Sequence, residues 1–263
     1  MKDIITSTSN QQIKNLTALI KKSKERKSQK VFVTEGPRMC FEAPTEDVVA
    51  VFASESFVGN GKNADRLEKY GDKLVLVADP LLKSVSDTQT PQGIIAIVKQ
   101  PQYQLEDLVK GDDTLILVLE SIQDPGNLGT MIRTAEGAGA SGVLMNSTTV
   151  DIFNPKTIRS TMGSIYRVPF VISEDFRADI EKLKGSGVKL YAAHLKGKMS
   201  YDQPNYRQAI GFMIGNEGQG LSDSIADLAD TYIRIPMEGH VESLNAAISA
   251  TLLMYECNRQ RRK

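Results

Sequence analysis

The chain is poor in the residues that announce a metal centre or a disulfide scaffold. It holds two cysteines, Cys40 and Cys257, and two histidines, His194 and His240, in 263 residues. The cysteines lie far apart in sequence, which argues against a disulfide framework. Histidine and cysteine are also too few and too scattered for a metal-ligand cluster. There is no tryptophan, and no apolar run approaches the ~20 residues of a membrane helix. The first 30 residues lack an apolar segment leading to a small-residue cleavage site. We therefore expect no secretory signal, no membrane association and a cytoplasmic location. The spellings G-x-x-x-x-G-K-[ST] and G-x-S-x-G are absent, which excludes a P-loop and argues against an α/β-hydrolase serine. No G-x-G-x-x-G with a following acid sits after the first strand, so a dinucleotide site is poorly supported.

Hydrophobic residues make up 41% of the chain and charged residues 24%, the balance of a core-forming chain long enough for two domains. The net charge of zero hides an uneven distribution. Residues 1–40 carry +6, residues 259–263 carry +4, and the body between them carries −10. Basic ends on an acidic body fit a polyanion met by chosen patches. A solvated basic helix and a frayed tail would produce the same count.

Strand and helix signals alternate throughout. Asn10 or Ser9 can cap a helix over 11–27, with Ile13, Leu16, Leu19 and Ile20 on one face. Short β-rich runs follow at 30–34, 48–54, 74–78 and 93–99. The polar stretch 100–113, punctuated by Pro101 and Gly111, reads as a linker. Beyond it, strands at 114–120, 142–145, 168–172, 189–193, 209–214 and 232–235 are separated by helices near 127–139, 154–162, 174–184, 222–229 and 243–259. This pattern predicts an α/β fold with a mostly parallel sheet. The domain boundaries expected are 1–105 and 114–263.

Ligands of parallel sheets sit at the carboxyl ends of the strands. Three loops there are unusual. The first is Glu120-Ser-Ile-Gln-Asp-Pro-Gly-Asn127, with Arg133 two turns into the helix that follows. The second is Ile214-Gly-Asn-Glu-Gly-Gln-Gly-Leu221, with three glycines in six residues. The third is Ile235-Pro-Met-Glu-Gly-His-Val-Glu-Ser243-Leu-Asn-Ala-Ala247, where Ser243 stands at the expected start of a long helix. Each taken alone is also what a tight turn or a helix cap looks like. Glycines at strand ends let a backbone approach a ligand closely.

Taken together and in this order, the three loops resemble the signature motifs of the SpoU (TrmH-like) branch of SPOUT RNA methyltransferases. The resemblance spans about residues 114–258. The first unit resembles the L30e-like substrate-binding domain that often precedes this catalytic domain, through Lys30-Val-Phe-Val-Thr-Glu-Gly-Pro-Arg38 and Ser84-Val-Ser-Asp87. The resemblance implies methyl transfer from S-adenosylmethionine to a ribose 2′-OH of ribosomal or transfer RNA, with ribosomal RNA favoured. It also implies a trefoil knot and a homodimer. It marks Asn127, Arg133, Glu217, Ser243 and Asn245 as catalytic, and Gly215, Ile235 and Leu244 as cofactor-binding. Arg133 would bind phosphate and steady developing oxyanion charge, since a guanidinium is a poor base. Glu217 would pair with Arg133 or offset the sulfonium. Two other readings stay open. One is a catalytically inactive RNA-binding protein on the same scaffold. The other is a nucleotide-dependent enzyme of ordinary doubly wound fold.

Overall fold

The computed structural model describes residues 3–262. The chain forms two compact units. One takes the chain up to Pro101 together with Phe153–Tyr166; the other takes Gln102–Ile152 and the chain from Arg167 on.

The first unit holds β1 (Ile4–Ile5), β2 (Val31–Glu35), β3 (Val48–Ser54), β4 (Leu74–Val77) and β5 (Ile94–Lys99), in the order β1-β4-β3-β5-β2. β4 runs parallel to β1 and β3, while β5 is antiparallel to β3 and β2. Its helices are α1 (Gln11–Lys21), α2 (Ser23–Gln29), α3 (Pro37–Glu42), α4 (Glu55–Gly59), α5 (Gly61–Leu67) and α6 (Asp79–Val85). The apolar stripe of α1, Ile13, Leu16, Leu19 and Ile20, packs on Val31, Val33, Phe52, Ile95 and Ile97.

The single helix expected over 11–27 breaks at Lys22, which is extended. The cause is Arg26. Its side chain is only 3% exposed, and its Nη1 donates to the carbonyls of Leu19 and Ile20 at 2.8 and 3.2 Å. A buried guanidinium needs acceptors, and the last turn of a helix offers carbonyls with no intrahelical partner. Arg26 is thus a structural residue and leaves the basic surface counted from sequence.

The second unit holds β6 (Leu115–Leu119), β7 (Gly142–Asn146), β8 (Phe170–Ser173), β9 (Lys189–Ala193), β10 (Met199–Ser200), β11 (Ile210–Ile214) and β12 (Thr231–Arg234). All pairings are parallel, in the order β10-β12-β9-β11-β6-β7-β8. The helices after the first six are α7 (Pro125–Ala138), α8 (Pro155–Thr161), α9 (Phe176–Gly185), α10 (Asp223–Ala226) and α11 (Ala246–Arg261), of which α8 belongs to the first unit. β6 and β11 are buried along their whole length, as their unbroken apolar spelling requires of central parallel strands. The expected α/β fold with a parallel sheet is therefore present.

The polar stretch 100–113 is not a free tether. From Gln102 on it belongs to the second unit, and Leu108 is fully buried in that unit's core. The basic C-terminal stretch is also committed. Arg261 donates to the carbonyls of Asp113, Thr114, Tyr206 and Gln208, and Arg259 pairs with Glu256. Arg261 is thus a structural clamp and not part of a frayed tail, while the Arg259 side chain stays 62% exposed.

Candidate active site

The site lies where β6, β11 and β12 end. β11 runs from Ile210 to Ile214 and then turns sharply. Asn216 and Gly220 exchange backbone hydrogen bonds at 3.0 and 2.8 Å, and the Asn216 Oδ1 accepts the N–H groups of Gly218 and Gln219. Gly220 has φ +72°, which glycine adopts without strain. A Cβ on Gly215 would lie 2.1 Å from the Gly220 carbonyl carbon and the Leu221 nitrogen. Glycine at 215 is therefore demanded by the loop's closure on itself.

The second loop is laced to the first. The Glu217 carboxylate accepts the N–H of Gln123 at 3.0 Å, the N–H of Asp124 at 3.1 Å and the Nδ2 of Asn127 at 2.9 Å. Burial raises the pKa of this carboxyl, but the three donors outweigh it and hold Glu217 below its ordinary value. Asn127 sits at the third position of α7, which Asp124 caps, so Asn127 is free to bridge. Its Oδ1 accepts the Nδ2 of Asn245 at 3.0 Å. Asn245 in turn caps α11, its Oδ1 accepting from Ala247 and Ile248. Ser243, two residues earlier, is exposed and is not the cap expected from sequence. One chain of hydrogen bonds thus joins all three loops through Glu217, Asn127 and Asn245.

Arg133 stands outside this chain. It is exposed on α7, and among the described residues it has no hydrogen bond or ion pair. Glu217 is paired with α7's first turn and not with Arg133. The guanidinium is left open for an outside partner.

A cavity of about 310 Å³ opens beside the loops. Gly215, Ile235 and Leu244 all line it, with Glu217 and Ser243; Asn127, Arg133 and Asn245 do not. The rest of its wall comes from the end of β9, including His194 and Leu195, from Met237 and from α11.

The sequence reading missed a supporting layer. Ser121, immediately after Glu120, has φ +57°, rare for a residue with a side chain. Four neighbours hold it there. Its N–H donates to the Asn146 Oδ1 at 2.9 Å, and its Oγ lies 2.6 Å from the Thr148 Oγ1. Its carbonyl accepts from the Asn216 Nδ2 at 2.9 Å and the Gln123 Nε2 at 3.0 Å. This pins the turn that presents the Gln123 and Asp124 N–H groups to Glu217. Only the asparagine content of the neighbouring strand ends hinted at it.

Comparison with known proteins follows the two units. The SpoU rRNA Methylase family model matches residues 114–255, and an MRM3-like substrate binding domain matches residues 10–96. The chain is 32% identical to the 23S rRNA (guanosine(2553)-2′-O)-methyltransferase RlmP of Bacillus subtilis, over 95% of this chain and 97% of that one. It superposes on an AdoMet-bound rRNA methyltransferase from Sinorhizobium meliloti with a TM-score of 0.87 at 28% identity, covering 99% of both chains. It also superposes on an RNA 2′-O ribose methyltransferase with a TM-score of 0.83 at 32% identity, covering 98% of this chain and 99% of that one. With ordered motifs, a joined site and full-length relatives in agreement, the chain belongs to the SpoU rRNA methylase family.

Proposed function

We propose that this protein transfers a methyl group from S-adenosylmethionine to a ribose 2′-OH of ribosomal RNA. The observation that carries the reading is the hydrogen-bonded chain Glu217–Asn127–Asn245, formed from three distant loops at the edge of one cavity. RNA 2′-O-ribose methylation by full-length relatives supports the chemistry and the RNA class.

The residues present fit the cofactor. The cavity falls at the low end of the ~300–1,000 Å³ typical of small-molecule sites. Its wall combines aliphatic side chains, Ile235, Leu244 and Met237, with backbone of the self-closed glycine loop. Gly215, Ile235 and Leu244 would hold S-adenosylmethionine, which when bound supplies an electrophilic methyl group on a sulfonium.

The chain's own residues then have two tasks, placing the ribose and helping its proton leave. Asn127 and Asn245 fix each other, so their free lone pairs and N–H groups face the ribose in a set direction. Ser243 adds a hydroxyl at the cavity rim. Arg133, unpaired among the described residues, takes the adjacent phosphate and steadies charge as the 2′ oxygen loses its proton. Glu217 stays ionised and acts on the first turn of α7 rather than on Arg133.

The first unit meets RNA and the second carries out transfer. A homodimer is consistent with Ile248 and Tyr255 on α11, 52% and 45% exposed. Among the described residues, no helix is long and apolar enough to cross a membrane.

The test is Arg133. Arg133→Ala should abolish methyl transfer to unmodified ribosomal RNA while S-adenosylmethionine binding by calorimetry is unchanged. Arg133→Lys should also be poor, because an ammonium does not reproduce the planar fork. Near wild-type turnover in the Lys variant would remove the assigned role.

A further inference from the structure

The first unit contains a second and larger cavity, about 850 Å³, that none of the three motifs touches. It lies at the carboxyl ends of the parallel neighbours β3 and β4, where β5 begins: Ser54, Asp79 and Gly93 mark those three points on its wall. Crevices at strand ends are where open α/β sheets take ligands.

Its polar groups fall into two sets. The first set builds the wall. Ser56 donates its N–H and its hydroxyl to the Asp79 carboxylate, and the Asn63 Nδ2 donates to the Phe57 carbonyl. The second set is uncommitted. Lys83, Gln89, Thr90 and Gln92 line the crevice, are exposed or half-buried, and have no side-chain partner among the described residues. Such a rim offers two amides, each both donor and acceptor, beside a carboxylate whose oxygens retain lone pairs.

The charges decide what fits. Among the described residues, Asp79 and Lys83 are the only ionisable side chains on the wall. The Ser56 hydroxyl holds Asp79 below the ordinary carboxylate range, so it remains ionised. A carboxylate beside one lysine is a poor phosphate site. It suits a neutral, planar ligand bearing amino or imino N–H groups. Carboxylates and amides are among the side chains that read base edges, Asp and Glu accepting from the cytosine amino group and Asn and Gln pairing with adenine. Phosphate contacts position a nucleic acid and base contacts specify it, so the two tasks are separable. Here they are separated in space. Lys30, the last of the basic run, precedes Val31, which pairs with Lys99 at the far end of β5 from Gly93.

We propose that this crevice binds an unpaired, amino-bearing base of the RNA substrate, at a nucleotide other than the one methylated. The assignment rests on the RNA methyltransferase reading above. An unpaired base costs nothing to unpair, and single-stranded bases are the usual targets of sequence-specific RNA recognition.

The probes are a cytidine hexanucleotide and an RNA duplex of mixed sequence, titrated against the full chain at several salt concentrations. The single strand should bind at least tenfold more tightly than the duplex per site. Gln89→Ala with Gln92→Ala should remove that preference and leave the salt slope and S-adenosylmethionine affinity unchanged. Asp79→Asn should act in the same direction; if it unfolds, as circular dichroism would show, the glutamine pair carries the test because those side chains hold no partner. Neutralising Lys21, Lys22, Lys24 and Lys27 should do the reverse, flattening the salt slope while the strand preference persists. Equal binding of duplex and single strand, or wild-type preference in the glutamine variant, would overturn the assignment. Absence of methyl transfer by the wild-type protein, with the strand preference intact, would count against the enzyme reading alone.

Discussion

Replacing Glu217 by Gln isolates the charge that joins the first two motif loops. The shape is kept, but one carboxylate oxygen becomes an amide that donates. Three donors now converge on Glu217, from Gln123, Asp124 and Asn127 at 2.9–3.1 Å. Glutamine can accept from at most two of them, and its NH₂ must face the third or turn away. A charge-assisted bond contributes about 1.5–3 kcal/mol when shielded, and less where water reaches it. Glu217 touches solvent, so we expect about 1–2 kcal/mol of local stability to be lost, a five- to thirtyfold increase in opening of the 123–127 turn. Amide exchange at Gln123 and Asp124 at neutral pH reads this directly. The pH arm has a defined sign. The folded-state pKa is depressed, so the stabilisation is present above the ordinary Glu value of about 4.3 and is lost as pH falls through the depressed one. The stability gap between wild type and variant, measured by urea, should therefore close in acid. Unchanged exchange at both amides, or a gap that stays constant into acid, would refute the latch.

Three further outcomes are expected. Gly215→Ala should weaken S-adenosylmethionine binding at least tenfold and lower the urea midpoint too, because its Cβ meets the Gly220–Leu221 peptide; Gly185→Ala, with nothing within 4 Å, should do neither. Ser121→Gly should cost less stability than Ser121→Val, since a β-branched residue resists φ +57°, and the difference should be about 1–2 kcal/mol by urea unfolding. Arg26→Ala should destabilise the first unit by about 2–3 kcal/mol through loss of bonds from a buried cation, seen as early loss of its amide protection, with the salt slope of RNA binding unchanged.

Periodicity was enough to place the buried strands. Val48–Ser54 and Lys189–Ala193 fall on the residues expected, and Leu115–Leu119 within one, because unbroken apolar runs have few alternatives to a sheet interior. The helix over 11–27 was misjudged because its break depends on where the Arg26 side chain goes, which no local pattern encodes. The same limit applied to the site. The motif spellings brought Glu217, Asn127 and Asn245 to notice, but not that Glu217 would bind α7's first turn instead of Arg133. Ser243 looked like the cap because it is a serine before an apolar run; Asn245 is, because the helix starts two residues later than its apolar residues begin. Gly215 lines the cavity as its place after a strand suggests, but its spelling does not disclose the crowding by Gly220 and Leu221, five and six residues further along its own loop.

Arg261 has a consequence for how the protein is made. Its guanidinium fastens the end of α11 to carbonyls just before β6 and β11, the two strands at the centre of the sheet. A ribosome extends the chain at about 5–20 residues per second and releases domains for folding in order of synthesis. The first unit's sheet is complete once Lys99 has emerged. The second unit's central strand β6 is made next, yet its partner β11 follows almost a hundred residues later and its clamp later still. For many seconds a wholly apolar strand has no native neighbour on one side. Nascent chains arrested with β6 emerged and β11 not yet emerged should therefore be the ones that recruit chaperones, and a C-terminal extension long enough to carry Arg261 out of the ribosome should relieve it.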